Sequence, residues 1–280
     1  MDIILYNPLS SRGKNVKVAE KLEKKLNKQG KEVIVINLLN IIDVKEFLEK
    51  HNDSDRIIIL GGDGTLHRIA NQIEGYEIKP EVYLYKAGTG NDFIRTVPVK
   101  KKMANIKPYL QNLPAMYVNG KRELVINGGG VGLDGLVAYK VNKSKMEKSK
   151  SNFFVNSFAG FKEFKPVGAK FNVDGKEFTE KKVWFASAMY AKYFGGGMAI
   201  SPKKRRDQHE IELVVVRNIP KWVLVLIFPT IYLGWHRIFK RWVKFYRGQN
   251  ITVEFDQPSY LQMDGEHEYP VLKYEIRMEK

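Results

Sequence analysis

The sequence contains no cysteine, which excludes a disulfide framework, a thiolate zinc site and a cysteine nucleophile. Its longest apolar run, residues 222–228, is far shorter than the roughly 20 residues that a membrane-spanning helix needs. The first residues lack the basic and apolar regions of a signal peptide, and the five histidines form no zinc-ligand pattern. We therefore expect a cytoplasmic protein that is at most peripherally associated with a membrane.

Acidic residues are scarce in the second part of the chain. Residues 1–96 hold 15 basic and 14 acidic residues, whereas the rest hold 32 and 17 and carry nearly all of the net charge of +16. Between Glu212 and Glu254 there is no acidic residue at all. This asymmetry favours a polyanionic partner, although a charge that only keeps the protein soluble would look the same. Since no recognised nucleic-acid-binding motif is present, we expect an anionic membrane surface and no nucleic acid.

The 280 residues are enough for two domains. In the first third, apolar runs at residues 3–6, 32–36, 56–60 and 82–85 alternate with helical patterns at residues 16–26, 44–48 and 65–73. This alternation predicts an α/β domain with a parallel sheet. From residue 121 onward, short β-rich segments separated by turn residues predict a largely antiparallel domain. We place the domains at residues 1–120 and 121–280, and leave open whether the final segment returns to the first.

The sharpest local signal is GGDGT at residues 61–65, which lies between a predicted strand and a predicted helix. Glycines there allow close approach of a ligand to the backbone, and a helix N-terminus favours a phosphate group. Asp63 would repel a phosphate unless a cation or a proton lies between them, which indicates Mg²⁺-bridged phosphate or proton transfer. An ordinary turn that closes a strand–helix unit remains the alternative.

Two further loops follow predicted strands of the same sheet, at residues 7–14 and at residues 88–93 (GTGNDF). Because the carboxyl ends of parallel strands share one edge of a sheet, we expect all three loops to lie at the same crevice. None of them matches GxxxxGK[ST] or GxGxxG. The chain is therefore neither a P-loop protein nor an ordinary dinucleotide-binding Rossmann domain.

Taken in order, the segments NPLSSRGK, GGDGTLHRIANQI, KAGTGNDFIR, NGGGVGLDG, FGGGM and QMDGE resemble the diacylglycerol kinase catalytic-domain family. The resemblance spans about residues 5–268 and is greatest to the soluble bacterial lipid kinases, with sphingosine and ceramide kinases more distant. GGDGT alone is weak evidence, since NAD kinases share it. Its combination with GTGNDF and a late DGE is specific.

The resemblance implies an ATP-dependent lipid kinase that uses Mg²⁺, with diacylglycerol as the expected lipid substrate. It implies an NAD kinase/diacylglycerol kinase-like α/β domain that binds the nucleotide, followed by a C-terminal all-β sandwich-like domain. It makes Glu266 and Asp63 catalytic, Glu266 as proton acceptor for the lipid hydroxyl, with Asp92 as a metal ligand and Asp134 on the acceptor side. The nucleotide-binding residues that it implies are Asn7, Ser10, Ser11, Gly61, Gly62, Asp63, Gly64, Thr65, Gly88, Thr89, Gly90 and Asn91.

Two departures from the family pattern stand out. Arg68 occupies a place where the family usually has glutamate, which puts the standard catalytic arrangement in doubt. The stretch at residues 202–209 (PKKRRDQH) has lysine and glutamine where bacterial members carry the carboxylates of a structural Mg²⁺ site, so we predict that this metal is absent. The basic run either holds phosphate or lipid headgroups or is a solvated loop.

The segment at residues 222–232 is strongly apolar, and residues 235–247 combine aromatic and basic side chains at helical spacing. This pattern predicts a basic helix that lies in an anionic membrane interface. Packing of the aromatic stripe against the core is the alternative. A second basic cluster is expected to form a mobile loop; its members are Lys140, Lys143, Lys145, Lys148 and Lys150.

Two other functions stay open at this point. A small-molecule kinase of the NAD kinase type shares GGDGT, although GTGNDF and the basic aromatic segment argue against it. A non-catalytic membrane- or nucleotide-binding relative is favoured by Arg68 and by the altered stretch at residues 202–209. The sequence does not determine the oligomeric state, and a homodimer remains open.

Overall fold

The computed structural model describes residues 1–87, 90–143 and 159–279, without the side chains of Ser11 and Arg12. The chain divides into two compact units, Met1–Gln111 and Asn112–Lys280. The division lies a few residues before the predicted position at residue 120, because the strand at Pro114–Val118 pairs with the last strand of the second unit.

The first unit is built on a five-stranded sheet with the strand order β2-β1-β3-β4-β5. Strands β1 to β4 are parallel and β5 is antiparallel to β4, which confirms the predicted α/β class. The strands are β1 (Asp2–Tyr6), β2 (Val33–Asn37), β3 (Arg56–Leu60), β4 (Glu81–Tyr85) and β5 (Met103–Asn105). The helices are α1 (Lys14–Asn27), α2 (Val44–Glu49) and α3 (Asp63–Gln72).

Apolar periodicity accounts for these elements. In α1 the buried side chains include Ala19, Leu22 and Leu26, whose spacing of three and four residues covers one helix face. They pack on Ile4 and Ile58 of the central strands. Burial on both faces explains why β1 and β3 are continuous apolar runs.

The second unit is β-rich, as predicted, and all of its described strand pairs are antiparallel. Its strands are β6 (Pro114–Val118), β7 (Lys121–Leu124), β8 (Gly128–Gly132), β9 (Val167–Val173), β10 (Lys176–Met189), β11 (Ile211–Arg217), β12 (Val243–Gly248), β13 (Asn250–Met263) and β14 (Glu266–Met278). It also contains the helices α4 (Leu133–Lys143) and α5 (Lys221–Ile227). No helix in the described part of the chain is both long and apolar enough to cross a membrane.

Two long strands close the sheet of the second unit on itself. β10 and β13 each pair with β9 through their first halves and with β8 through their second halves. Both strands change register midway, at residues 180–183 in β10 and 254–259 in β13. Such irregularities let one strand pass between two sheets, so the sandwich-like arrangement follows from them.

One expectation is wrong. The predicted helix at residues 235–247 is a single 3₁₀ turn, Trp235–Ile238, followed by strand β12. Pairing of β12 with β11 decides the conformation of these residues over their helical periodicity. The partners of the final segment, which the sequence left open, are strands of the second unit, because β14 pairs with β13 and β6.

Candidate active site

The loops after β1 and β3 are joined by side-chain hydrogen bonds. The Asn7 backbone N–H donates to the Leu60 carbonyl oxygen (3.0 Å), and the Asn7 side-chain amide donates to Thr65 Oγ1 (2.8 Å). Ser10 Oγ lies 3.2 Å from the same Thr65 hydroxyl. Buried Asn15 donates to the carbonyl oxygens of Asn7 and Leu60, which holds the first loop from the side of α1. Three of the predicted nucleotide-binding residues, Asn7, Ser10 and Thr65, are thus in contact.

Asp63, the first residue of α3, connects the loop after β3 to the loop after β4. Its Oδ2 accepts the backbone N–H of Asp92 (3.0 Å) and its Oδ1 accepts that of Phe93 (2.8 Å). A carboxylate that accepts two backbone N–H groups is a strong tie between segments. These bonds show what the Asp63 carboxylate contacts; its catalytic role stays a prediction.

The glycines of this region fall into two kinds. A Cβ atom on Gly61 would lie 2.6 Å from Thr65 Cγ2, and one on Gly90 would lie 3.0 Å from Asp63 Oδ2. At Gly62 and Gly64 a Cβ atom would meet nothing within 4 Å. Gly61 and Gly90 therefore serve internal packing, whereas Gly62 and Gly64 leave open space beside the backbone at the start of α3.

This open backbone adjoins the N-terminus of a ten-residue helix, where the helix dipole favours an anion. Asn91 adopts a left-handed φ of 57°, and Asp92 is buried. Arg68 is exposed on α3. Gly88, Thr89 and the Ser11 side chain, which we also predicted to bind nucleotide, lie outside the described residues.

In the second unit, the turn that carries Glu266 is fixed by its neighbour Asp264. The two carboxylate oxygens of Asp264 accept the backbone N–H groups of Ile126 (2.7 Å), Asn127 (2.8 Å) and Gly128 (3.2 Å). Asp264 and Gly265 have φ values of 48° and 94°, which makes a tight hairpin between β13 and β14. Glu266, the first residue of β14, is exposed directly after this turn.

Two side chains outside the predicted set support the same hairpin. The Asn142 amide, on α4, donates to the Gly265 carbonyl oxygen (3.0 Å) and lies 3.0 Å from His267 Nδ1. Arg206 donates to the Asn127 side-chain oxygen (2.7 Å) and to the Ile126 carbonyl oxygen. Their contacts join residues 79 to 125 positions apart, so local sequence patterns carried no signal for them.

The basic stretch at residues 202–209 is partly buried. Lys204 and Arg206 are buried, and the Lys204 ammonium donates to the carbonyl oxygens of Arg205 and Gln208, both at 2.8 Å. Burial lowers the pKa of Lys204 to about 8. Arg205, by contrast, is exposed and pairs with Asp207. Two of the basic side chains are therefore used inside the protein.

Asp134, at the start of α4, is a buried carboxylate. Its Oδ2 accepts the Ser187 hydroxyl (2.6 Å) and its Oδ1 accepts the Gly135 backbone N–H (2.9 Å). Burial raises the pKa of Asp134 to about 6, and the hydrogen bonds limit the rise. Nothing larger than glycine fits at Gly130, where a Cβ atom would lie 2.7 Å from Asp134 Oδ2.

Within the described residues, no group of three or more histidine, aspartate or glutamate side chains is arranged to hold a metal ion. Mg²⁺ needs fewer protein ligands when it is bound with a nucleotide, because phosphate oxygens and water complete its octahedral shell. The backbone N–H of Asp92 is bonded to Asp63 and the residue is buried, so its role as a metal ligand stays a prediction.

Comparisons with known proteins match a family model to most of each unit. Residues 3–115 match the family model described as diacylglycerol kinase catalytic domain. Residues 129–275 match the model described as YegS C-terminal NAD kinase beta sandwich-like domain. Together the two matches include every predicted site residue of either unit.

Individual relatives are distant. The chain is 28% identical over 201 residues to a Bacillus subtilis protein named "Putative lipid kinase YtlR", a match that covers 61% of this chain and 62% of that protein. It is 22% identical to "Diacylglycerol kinase" of B. subtilis, over 94% of this chain and 89% of that one. A crystal structure of a diacylglycerol kinase from Bacillus anthracis has a similar fold, with a TM-score of 0.65, 18% identity, and coverage of 99% and 93% of the two chains.

Proposed function

The chain belongs to the family in which a diacylglycerol kinase catalytic domain precedes a YegS-type NAD kinase beta sandwich-like domain, and from this premise we propose an ATP-dependent lipid kinase. Membership makes the protein a kinase, that is, a phosphoryl transferase. We further propose diacylglycerol as the lipid and phosphatidic acid as the product, which would place the protein in phospholipid biosynthesis. The names of the bacterial relatives support this choice.

The observation that carries the proposal is the junction of three loops at the start of α3. Asn7 and Ser10 meet at Thr65, and Asp63 holds the backbone of Asp92 and Phe93. The junction surrounds open backbone at Gly62 and Gly64, next to a helix N-terminus. Backbone N–H groups in such a place suit the phosphates of ATP.

Mg²⁺ is the expected cofactor, and Asp92 is the residue proposed to hold it. Bound there, it would neutralise charge that develops on the transferred phosphoryl group. The chain's own residues bind and orient the substrate. The glycine loops bind the nucleotide, and the hydrogen bonds of Asp63 hold two of those loops together.

Glu266 is proposed as the base. The acceptor hydroxyl oxygen forms a bond to the γ-phosphorus while the bond from that phosphorus to the ADP oxygen breaks, and the hydroxyl proton passes to the Glu266 carboxylate. The bonds from Asp264, Asn142 and Arg206 fix the loop and turn that carry this side chain. Because its acceptor is insoluble, the enzyme would act while peripherally bound to a membrane.

A small-molecule kinase of the NAD kinase type and a non-catalytic nucleotide-binding relative are the competing functions. Both would share the loop junction of the first unit. They differ from a lipid kinase in what Glu266 does, because neither requires a base for a lipid hydroxyl.

The test is Mg²⁺-dependent transfer of labelled γ-phosphate from ATP to a panel of diacylglycerol, sphingoid base, ceramide and prenol in mixed micelles, with NAD as a soluble acceptor. We expect labelled phosphatidic acid. Glu266→Gln should lower kcat by roughly 10²- to 10⁴-fold, the usual contribution of a general base, and leave ATP binding unchanged. Glu254→Gln, at an exposed position of β13, is the matched control.

Transfer to NAD alone would contradict the proposal in favour of the NAD kinase type. ATP binding without transfer to any acceptor would favour the non-catalytic relative. Transfer to another lipid of the panel would keep the kinase and reject diacylglycerol.

A further inference from the structure

Five large apolar side chains of the second unit are exposed within 17 residues of one another. Their exposed fractions are 68% for Trp222, 69% for Leu226, 65% for Leu233, 61% for Trp235 and 70% for Ile238. Two of the four tryptophans of the chain are among them. Contiguous exposed apolar patches mark interaction sites, whereas apolar side chains exposed singly need no explanation. We call these five residues the 222–238 surface.

Helical geometry places these side chains outward. Trp222 and Leu226 are four residues apart on α5 and share a face, while Leu224 between them is buried. The 3₁₀ helix Trp235–Ile238 puts its first and last side chains on one side, since residues three apart eclipse in this helix type. The same segments bury Ile231 in the core, and partly buried Phe228 packs against that core.

The backbone that carries the 222–238 surface is held by several contacts. Gly234, with a φ of 73°, joins the 3₁₀ helix Phe228–Leu233 to the 3₁₀ helix Trp235–Ile238, and a Cβ atom there would lie 2.8 Å from Pro202 Cβ. The Ala199 backbone N–H donates to the Ile231 carbonyl oxygen (3.0 Å), and buried His236 Nε2 lies 3.0 Å from the Ile200 carbonyl oxygen. The apolar side chains are therefore presented in a fixed arrangement, which lowers the entropic cost of binding.

The charges near the 222–238 surface indicate which kind of partner it binds. Lys221, Lys240 and Arg241, which flank it in sequence, are exposed. No acidic residue lies between Glu212 and Glu254, and Glu212 itself is fully buried and bonded to Arg247. Exposed tryptophans and aliphatic side chains with a basic border suit the interface of an anionic bilayer, where the apolar groups enter the headgroup region and the cations meet lipid phosphates.

We infer that the 222–238 surface docks the protein on an anionic lipid bilayer. A second copy of this chain is a poorer occupant, because each copy carries a net charge of +16 and would bring a further basic border to the contact. This inference gives the proposed lipid kinase a membrane partner, and it rests on that proposed function. Its test does not need kinase activity.

The experiment is sedimentation of the full chain with vesicles of phosphatidylglycerol and phosphatidylcholine, without ATP. We expect binding that Trp222→Ala with Leu226→Ala weakens at least about tenfold, because buried apolar area sets interfacial affinity. Lys240→Glu with Arg241→Glu should weaken it by about fivefold per charge. The matched controls, Leu39→Ala with Ile42→Ala and Lys28→Glu with Lys31→Glu, change exposed residues of the first unit and should bind normally.

Tryptophan fluorescence gives a second measurement. Emission should shift to shorter wavelength on anionic vesicles, and Trp222→Phe with Trp235→Phe should remove the shift while thermal unfolding stays unchanged. Phosphoryl transfer to a water-soluble short-chain diacylglycerol should persist in all of these variants, so loss of docking and absence of kinase activity are separate results.

Three outcomes would overturn the inference. The wild-type chain could fail to bind anionic vesicles, or the controls could lose binding as strongly as the surface variants. Sedimentation equilibrium could also reveal a dimer that Trp222→Ala with Leu226→Ala dissociates while vesicle binding is unchanged, in which case the surface belongs to a second copy.

Discussion

The carboxylate of Asp63 accepts the backbone N–H of Phe93 at 2.8 Å, across 30 positions of sequence. The carboxylate also accepts the backbone N–H of Asp92, the residue before Phe93. These two bonds connect the first residue of α3 to the loop after β4. The Asp63 side chain therefore helps to hold the loops after β3 and β4 in one arrangement.

Asp63→Asn should loosen the loop after β4. The amide offers one acceptor oxygen and brings two N–H donors toward N–H groups, so at least one of the two bonds is lost. We expect ATP affinity to fall at least about tenfold, in line with loss of a charge-assisted bond of 1.5–3 kcal/mol. Titration calorimetry measures the affinity, and hydrogen exchange at the Phe93 amide should speed up. Normal exchange at that amide would contradict the tie; Asp53→Asn, on an exposed turn, is the control.

Gly61→Ala and Gly64→Ala should have opposite consequences. The new methyl group at Gly61 meets Thr65 at 2.6 Å, so we expect destabilisation of about 1–3 kcal/mol. At Gly64, in the first turn of α3, it meets nothing, so stability should stay the same or rise by up to about 1 kcal/mol. The ATP affinity of Gly64→Ala should nevertheless fall, because the new methyl group occupies space that a phosphate needs. Urea unfolding with and without ATP separates the two effects, and unchanged ATP affinity of Gly64→Ala would place the nucleotide elsewhere.

Asp134 should cost the second unit stability at neutral pH. Its pKa of about 6 lies above the ordinary value of 3.8, so the folded state holds a proton that the unfolded state releases between these pH values. The free energy of unfolding therefore falls as pH rises from about 4 to 6. Asp134→Asn should be more stable than the wild type by up to roughly 3 kcal/mol at pH 8, with the difference disappearing below about pH 4. Urea unfolding from pH 4 to 8 measures it, and a less stable variant at pH 8 would contradict the burial argument.

His236 should have the opposite pH dependence. Burial lowers its pKa to about 4 from 6.5, so the unfolded state binds a proton that the folded state does not. Its contribution to stability is complete above about pH 6.5 and is lost as pH falls toward 4. Between pH 4 and 6 the effects of Asp134 and His236 oppose each other, so each becomes visible when the other is replaced. In that window the free energy of unfolding of Asp134→Asn should rise with pH. Adding His236→Gln to this variant should make the free energy of unfolding nearly independent of pH.

The architecture of the first unit was predictable from local patterns. Apolar runs and helical spacing indicated its parallel strands and helices, and the parallel-sheet rule indicated that the loops after β1, β3 and β4 share an edge. The hydrogen bonds of Asn7 and Asp63 agree with that expectation. Their partners were not predictable, because which backbone groups a carboxylate reaches depends on loop conformation.

The second unit resisted prediction where its pairs are far apart in sequence. Strand β8 is mostly glycine, with low β propensity, and it forms because Gly128, Gly129 and Gly130 allow close approach of the neighbouring strands. The bond of Ser187 to Asp134 spans 53 positions. Residues 235–247 show helical periodicity, yet pairing with β11 makes their second half a strand.

The pairing of β6 with β14 brings Met116 beside Ile276. All strand pairs of the first unit lie within its 111 residues, so that unit can form as soon as this length has left the ribosome. In the second unit β6 can pair early with β7, and it gains its other partner only when β14 has been synthesised. Sheets built from such distant partners also form slowly. During synthesis the chain therefore holds a finished α/β unit followed by an unfinished basic, strand-rich segment, and this segment is where chaperone protection matters most.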